Sequence, residues 1–198
     1  MLLDIVILPP AHVGRILTRA TKKACAGLQI IYIVDDMHLY HHLSLFHMRA
    51  RPSEMPQLIA QIRKTLTSFK PIMITSKRAA PFGRGIEYHL SGREKLKGIN
   101  QKIVKTCAPL RTGMMPWTST HEPTQSQLNK RKRYGTQLNI GSSFKPHFTL
   151  AKCKEKDDAL KVIKRIGKLN FRFMTSTIGL CEVNYNHQVT KILKKFKV

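Results

Sequence analysis

His42-Leu43-Ser44-Leu45 and His147-Phe148-Thr149-Leu150 share one pattern: a histidine, an apolar residue, a hydroxyl residue and a leucine. In an extended strand, side chains two apart project from the same face. Each stretch therefore sets an imidazole beside a hydroxyl and turns its apolar residues toward a core. Two such pairs facing each other supply a proton acceptor, a proton donor and two hydrogen-bond donors for a phosphate.

With nine histidines and many serines and threonines, roughly half a match to this pattern is expected by accident. Two copies carry more weight because both lie in strand-like segments, 105 residues apart, one in each half of the chain. His89-Leu90-Ser91 matches the first three places, but Gly92 ends that strand, so His89 ranks below His42 and His147. The plain structural alternative for each is a strand histidine hydrogen-bonded in a core or at its rim.

The chain has 198 residues and 42% apolar content, enough for a substantial core in one large domain or two small lobes. Its 35 basic and 11 acidic residues give a formal charge of +24. The excess divides as +9 over residues 1–98 and +15 over residues 99–198, so no single tail carries it. A surface this basic attracts polyanions, which points to RNA or a nucleotide as partner, with an unliganded solvated surface as the bland alternative. No long basic amphipathic helix suggests a membrane surface, and no obligate protein partner is implied.

Cys25, Cys107, Cys153 and Cys181 are scattered, with no C-x-x-C pair and no export segment, as expected of reduced thiols in a cytoplasmic protein. The opening Met1–Pro10 is apolar but too short to span a bilayer; interrupted by Asp4 and closed by prolines, it reads as a first strand. Ala11–Ala26 reads as a basic helix stopped by Gly27, and Leu28–Val34 as a buried, β-branched strand broken by Asp35-Asp36. Leu39–Phe46 is extended and carries the first motif. A helix opens at Ser53 and repeats Leu58, Ile59, Ile62 and Leu66.

Pro71–Thr75 is then a short strand, Pro81–Gly85 a turn, Ile86–Leu90 an alternating strand, and Leu96, Ile99, Ile103 and Val104 mark another helix. Thr112–Ser143 is polar and aperiodic, a long loop or flap. Lys154–Leu169 reads as a basic helix and Phe171–Val183 as one or two closing strands.

Within the polar loop, Lys130, Arg131, Lys132, Arg133 and Tyr134 form a cationic run ending in an aromatic ring. They are candidate RNA contacts, with Tyr134 stacking on a base, or else an exposed turn. His38, His41, His42 and His47 cluster locally, but His41 and His42 point to opposite faces of a strand, so no metal site is assigned. Neither a Walker A loop nor G-x-G-x-x-G occurs; no cofactor is implied.

The motifs, within Tyr40-His41-His42-Leu43-Ser44-Leu45-Phe46 and Pro146-His147-Phe148-Thr149-Leu150-Ala151-Lys152, make the chain resemble the 2H phosphoesterase superfamily. That group includes 2′-5′ RNA ligase-like proteins and cyclic nucleotide phosphodiesterases. The order of elements is similar over nearly the whole chain. Ser44 stands where Thr is commoner, and Lys152 where many members have Arg, so a bidentate phosphate contact becomes a point charge.

The resemblance implies an α+β fold over residues 1–198: a single bilobal domain of two antiparallel sheets flanked by helices, with pseudo-twofold symmetry and a central cleft. It implies His42 and His147 as the catalytic acid and base, and Ser44, Thr149 and Lys152 as phosphate-binding residues. The substrate class is RNA or a nucleotide with a 2′,3′-cyclic phosphate or a 2′-5′ linkage, cleaved without a metal. Two alternatives stay open on the same fold: a non-catalytic basic RNA-binding module and a 3′-end RNA exonuclease.

Overall fold

In a computed structural model the described residues are 1–117 and 122–198; part of the polar segment 112–143 thus lies outside them. Two antiparallel sheets carry the chain. The first is four-stranded, ordered β3 (Leu43–Arg49), β1 (Leu2–Ile7), β8 (Thr177–Val183), β9 (Val189–Lys197). The second is five-stranded, ordered β2 (Ile30–Ile33), β6 (His147–Cys153), β5 (Gly85–Leu90), β4 (Met73–Phe82), β7 (Arg172–Met174). The second motif thus opens β6, and the first enters β3 one residue after its histidine.

Helices cover one side of each sheet. α1 (Ala11–Cys25) and α5 (Lys156–Ile166) pack on each other, α1 against β2 and β6 and α5 against β4, β5 and β6. α3 (Arg93–Cys107) packs on β3 and on α2 (Met55–Leu66). α1 buries Val13, Leu17, Thr21 and Ala24 at helical spacing, and α5 buries Ala159, Val162 and Ile166 likewise. Between α5 and its sheet, Phe148 stacks on Phe173 at 6.1 Å, and Tyr88 meets Phe171 at 5.8 Å. Each of these large apolar side chains contributes about 2–3 kcal/mol by burial, and that seals the sheet face away from the motifs.

Four sequence expectations change. β2 is a half-exposed edge strand, with Ile31 46% exposed, because it pairs with β6 alone. β4 runs through Pro81 and Phe82, leaving Gly83-Arg84 as a two-residue hairpin turn with Gly83 at φ 59°. The polar segment contains a helix, α4 (Gln125–Tyr134), opened by a capping box between Thr124 and Gln127 and closed by Gly135 at φ 78°. The lysine-rich β9 closes the first sheet. Among the described residues no helix is long and apolar enough to cross a membrane, and the four cysteines are buried free thiols.

Candidate active site

Both motifs contain a β-bulge at the same place. Along β1 and β3 the register passes from Ile5–Phe46 to Val6–Ser44, leaving Leu45 without a partner; along β5 and β6 it passes from Ile86–Ala151 to Glu87–Thr149, leaving Leu150 without one. An extra residue resets the alternation of faces. Lys152, five residues after His147, therefore joins His147 and Thr149 on one face, where strict alternation would place it opposite. His47 joins His42 and Ser44 in the same way. A buried Asn100 from α3 donates to the carbonyl of the bulged Leu45 at 2.6 Å and to that of Asn139 at 2.8 Å. From the same helix, Arg93 donates to the carbonyls of Phe144 and Ser142, so α3 holds both the first bulge and the approach to the second motif.

In the first half-site His42 Nδ1 donates to the Tyr40 carbonyl at 2.7 Å, which leaves Nε2 with its lone pair. Asp4, fully buried on β1, lies 3.8 Å from that nitrogen, beyond hydrogen-bond reach. Asp4 Oδ2 accepts the Ser44 hydroxyl at 2.6 Å and sits 3.2 Å from His47 Nε2. The His47 ring meets that of His187, whose backbone is left-handed at φ 60°, at a centroid distance of 5.1 Å. Burial pushes the Asp4 carboxyl up to about 6, against the opposing pull of His42, the Ser44 hydrogen bond and His147. Burial likewise drives His47 and His187 down to about 3 and lowers His42, so these imidazoles are neutral near pH 7.

The second half-site repeats the frame with different partners. His147 Nδ1 lies 2.8 Å from the Lys145 carbonyl, again two residues back, and its Nε2 is 3.3 Å from Glu87 Oε1. Both ring nitrogens thus face oxygen acceptors. His89 pairs directly opposite His147 and approaches the other oxygen of Glu87 at 3.4 Å. Lys152 Nζ donates to Asn186 Oδ1 at 3.1 Å, while the Thr149 hydroxyl is engaged by no protein group among the described residues.

The two halves face each other. β3 and β6 approach within 8 Å between Cα atoms, and a charge on His147 is felt at His42, His47 and Asp4. His147 is thus near enough to act on His42 from the other sheet, and Thr149 and Lys152 share the face of β6 that carries it. The histidines around the first motif diverge: His38 turns to Asp35, His41 to Asp36, and His47 to Asp4.

The cationic run lies on α4 and not in a loop. Lys130 reaches Ser143 Oγ at 3.4 Å, and Arg131 covers the Trp117 ring at 5.5 Å and donates to Gln137; Lys132 is exposed. Tyr134 packs against the core with the Arg133 guanidinium over its ring at 5.2 Å, so that face is taken by the protein itself.

Sequence reasoning missed Asp4 and Glu87. Asp4 was visible only as a charge interrupting an apolar strand. Glu87 and His89 alternate within β5 and so share a face, a signal that becomes readable once β5 is known to lie beside β6.

Known proteins agree with this architecture. The model of the 2′-5′ RNA ligase superfamily matches residues 38–184, from just before the first motif to well past the second. Among solved structures, TT0787 of Thermus thermophilus superposes with a TM-score of 0.62 at 18% identity, covering 100% of this chain and 97% of its own. Escherichia coli LigT, crystallised with 3′-AMP, gives 0.62 at 13% identity, covering 99% of this chain and 97% of its own. No curated protein sequence matches. These identities speak for the fold, whereas the family match spans both histidine motifs and most of the chain: the chain belongs to the 2′-5′ RNA ligase superfamily, within the 2H phosphoesterases.

Proposed function

We propose that the protein is a phosphodiesterase that opens 2′,3′-cyclic phosphates or cleaves 2′-5′ linkages of RNA by acid and base catalysis between His42 and His147. The observation that carries this reading is a pair of unlike imidazoles from two different sheets, close enough for a charge on one to act on the other. His42 is buried and neutral, with Nε2 free to take a proton from water or a ribose hydroxyl. His147, with both nitrogens facing oxygen acceptors, is the ring placed to give one to the leaving oxygen. In the direction of hydrolysis His42 is thus the base and His147 the acid.

Thr149 donates to a nonbridging oxygen and Lys152 adds a point charge. Because the two imidazoles move both protons, a metal has no step to perform. An open groove lined by Tyr40, Lys191, Lys194 and Lys195 begins at the residue whose carbonyl holds His42. Together with Lys130 and Lys132 on α4, it favours an RNA strand over a free mononucleotide as substrate.

The test is an assay of chelator-treated protein on 2′,3′-cyclic nucleotides, 2′-5′ oligonucleotides and RNA with a 3′-terminal oligouridine tail. Turnover of the first two classes with EDTA present is expected. Activity confined to stepwise shortening of the tail supports the exonuclease alternative, and salt-sensitive RNA binding with no turnover supports the non-catalytic module.

A further inference from the structure

The two half-sites are not equivalent in how they hold their hydroxyls. Aligned through their bulges, His42 corresponds to His147, Ser44 to Thr149 and His47 to Lys152. On the neighbouring strand, the residue opposite His47 is Asp4 and the residue opposite Lys152 is Gly85. One half therefore has a carboxylate where the other has no side chain. Thr149 is free to donate toward a ligand, whereas the Ser44 proton is already committed, at 2.6 Å, to Asp4.

That commitment has a chemical consequence. A hydroxyl has one proton, so while it points at Asp4 it presents only lone pairs to the cleft, and a phosphate oxygen facing it is repelled. If Asp4 takes up a proton, its O–H donates to Ser44 Oγ and the Ser44 proton turns outward.

We propose that Asp4 is a positioning residue that decides whether Ser44 serves the phosphate, and that binding of a phosphate ester draws one proton from solvent onto Asp4. The inference rests on the phosphate-site reading above. The ligand's negative charge arrives beside a carboxylate that is fully buried and stabilised in its ionised form by the Ser44 hydroxyl, the Phe46 backbone N–H and nearby imidazoles, so protonation relieves both the repulsion and the burial.

The groups around Asp4 leave it few competitors for that role. β3 presents His42, Ser44 and His47; β8 presents Cys181, directly opposite Asp4; His147 acts from β6; and Lys195 on β9 reaches only as far as Cys181. The largest influences holding Asp4 ionised come from imidazoles and hydrogen bonds rather than from a lysine or arginine. Its resting carboxyl, already pushed up to about 6, is part of the way toward being neutral at physiological pH.

Calorimetric binding of 3′-AMP in two buffers of different ionisation enthalpy reads the proton count directly. The wild type is expected to take up about one proton more per nucleotide at pH 7.5 than Asp4→Asn, whose amide donates to Ser44 permanently. Between pH 6 and pH 8 the wild type should lose at least about tenfold more affinity than Asp4→Asn, in which the histidines alone titrate. In a Ser44→Ala background the affinity difference at pH 8 should shrink to what direct repulsion by the Asp4 carboxylate supplies.

The carboxyl 13C resonance of Asp4 in the unmodified protein gives a second measurement, and its midpoint should rise by about two pH units or more with nucleotide bound, as uptake of about one proton at pH 7.5 requires. Equal proton uptake and equal pH slopes in both proteins, or an Asp4 midpoint unmoved by nucleotide, overturn the inference while leaving the phosphate site intact. Absence of 3′-AMP binding by the wild type at every pH overturns the phosphate-site reading itself.

Discussion

Replacing either His42 or His147 by alanine is expected to lower kcat/KM on a 2′,3′-cyclic nucleotide by about 10²–10⁴-fold, while leaving the fold intact for His147. A positioned acid or base typically supplies that much of a rate enhancement. The two changes should combine far less than additively, because removing one partner already stops the concerted movement of protons that the other serves. The pH profile separates the roles. In the wild type kcat/KM is bell-shaped, with the acid limb set by protonation of the His42 Nε2 lone pair.

His42 is held below the ordinary histidine range, chiefly by burial, so this limb lies at lower pH than for an exposed imidazole. Full activity in His147→Ala would remove His147 from the chemistry.

Acidification is expected to destabilise the folded protein well before ordinary carboxylates titrate. His47 and His187 are buried and neutral down to about 3, whereas in the unfolded chain each binds a proton near 6.5. Between those limits the unfolded state holds up to two protons more, so stability falls as pH falls. Asp4 acts in the opposite sense: it keeps its proton up to about 6 when folded and only up to 3.8 when unfolded, so its contribution is present at low pH and is lost as pH rises.

From pH 6 to pH 4 these three groups together favour the unfolded chain by about one proton, a loss of roughly 1.4 kcal/mol per pH unit, and the lowered His42 acts in the same direction. Urea midpoints measured across this range check it. His187→Gln, which removes one of the protons gained on unfolding, should reduce that slope by roughly 1.4 kcal/mol per pH unit over the same interval. An unchanged slope would show that His187 is not held neutral.

Much of the fold was legible because its signals are local. The apolar spacing of α1, α2 and α3, the β-branched run at Ile30–Ile33 and the two motifs each declare themselves within a dozen residues. The capping box of α4 was equally local, with Thr124 and Gln127 three apart, but polar composition with no apolar stripe reads as loop.

What the sequence conceals is register. The bulges at Leu45 and Leu150 leave no mark in composition, yet they decide that His47 and Lys152 face the site. The same is true of Asp4, whose partner Ser44 lies 40 residues away in sequence. A single acidic residue in an apolar strand announces an exception without naming its cause. Glu87 and His89 gain their meaning only from β6 lying alongside.

The central claim is that His42 and His147 serve one phosphate. Histidine ring resonances, assigned through His42→Gln and His147→Gln and followed during titration with 3′-AMP, test it most directly. One site predicts that both imidazoles shift together along a single binding curve, with one Kd, while the exposed His38 stays still. A shift confined to one of the two rings, or separate curves for each, would contradict it.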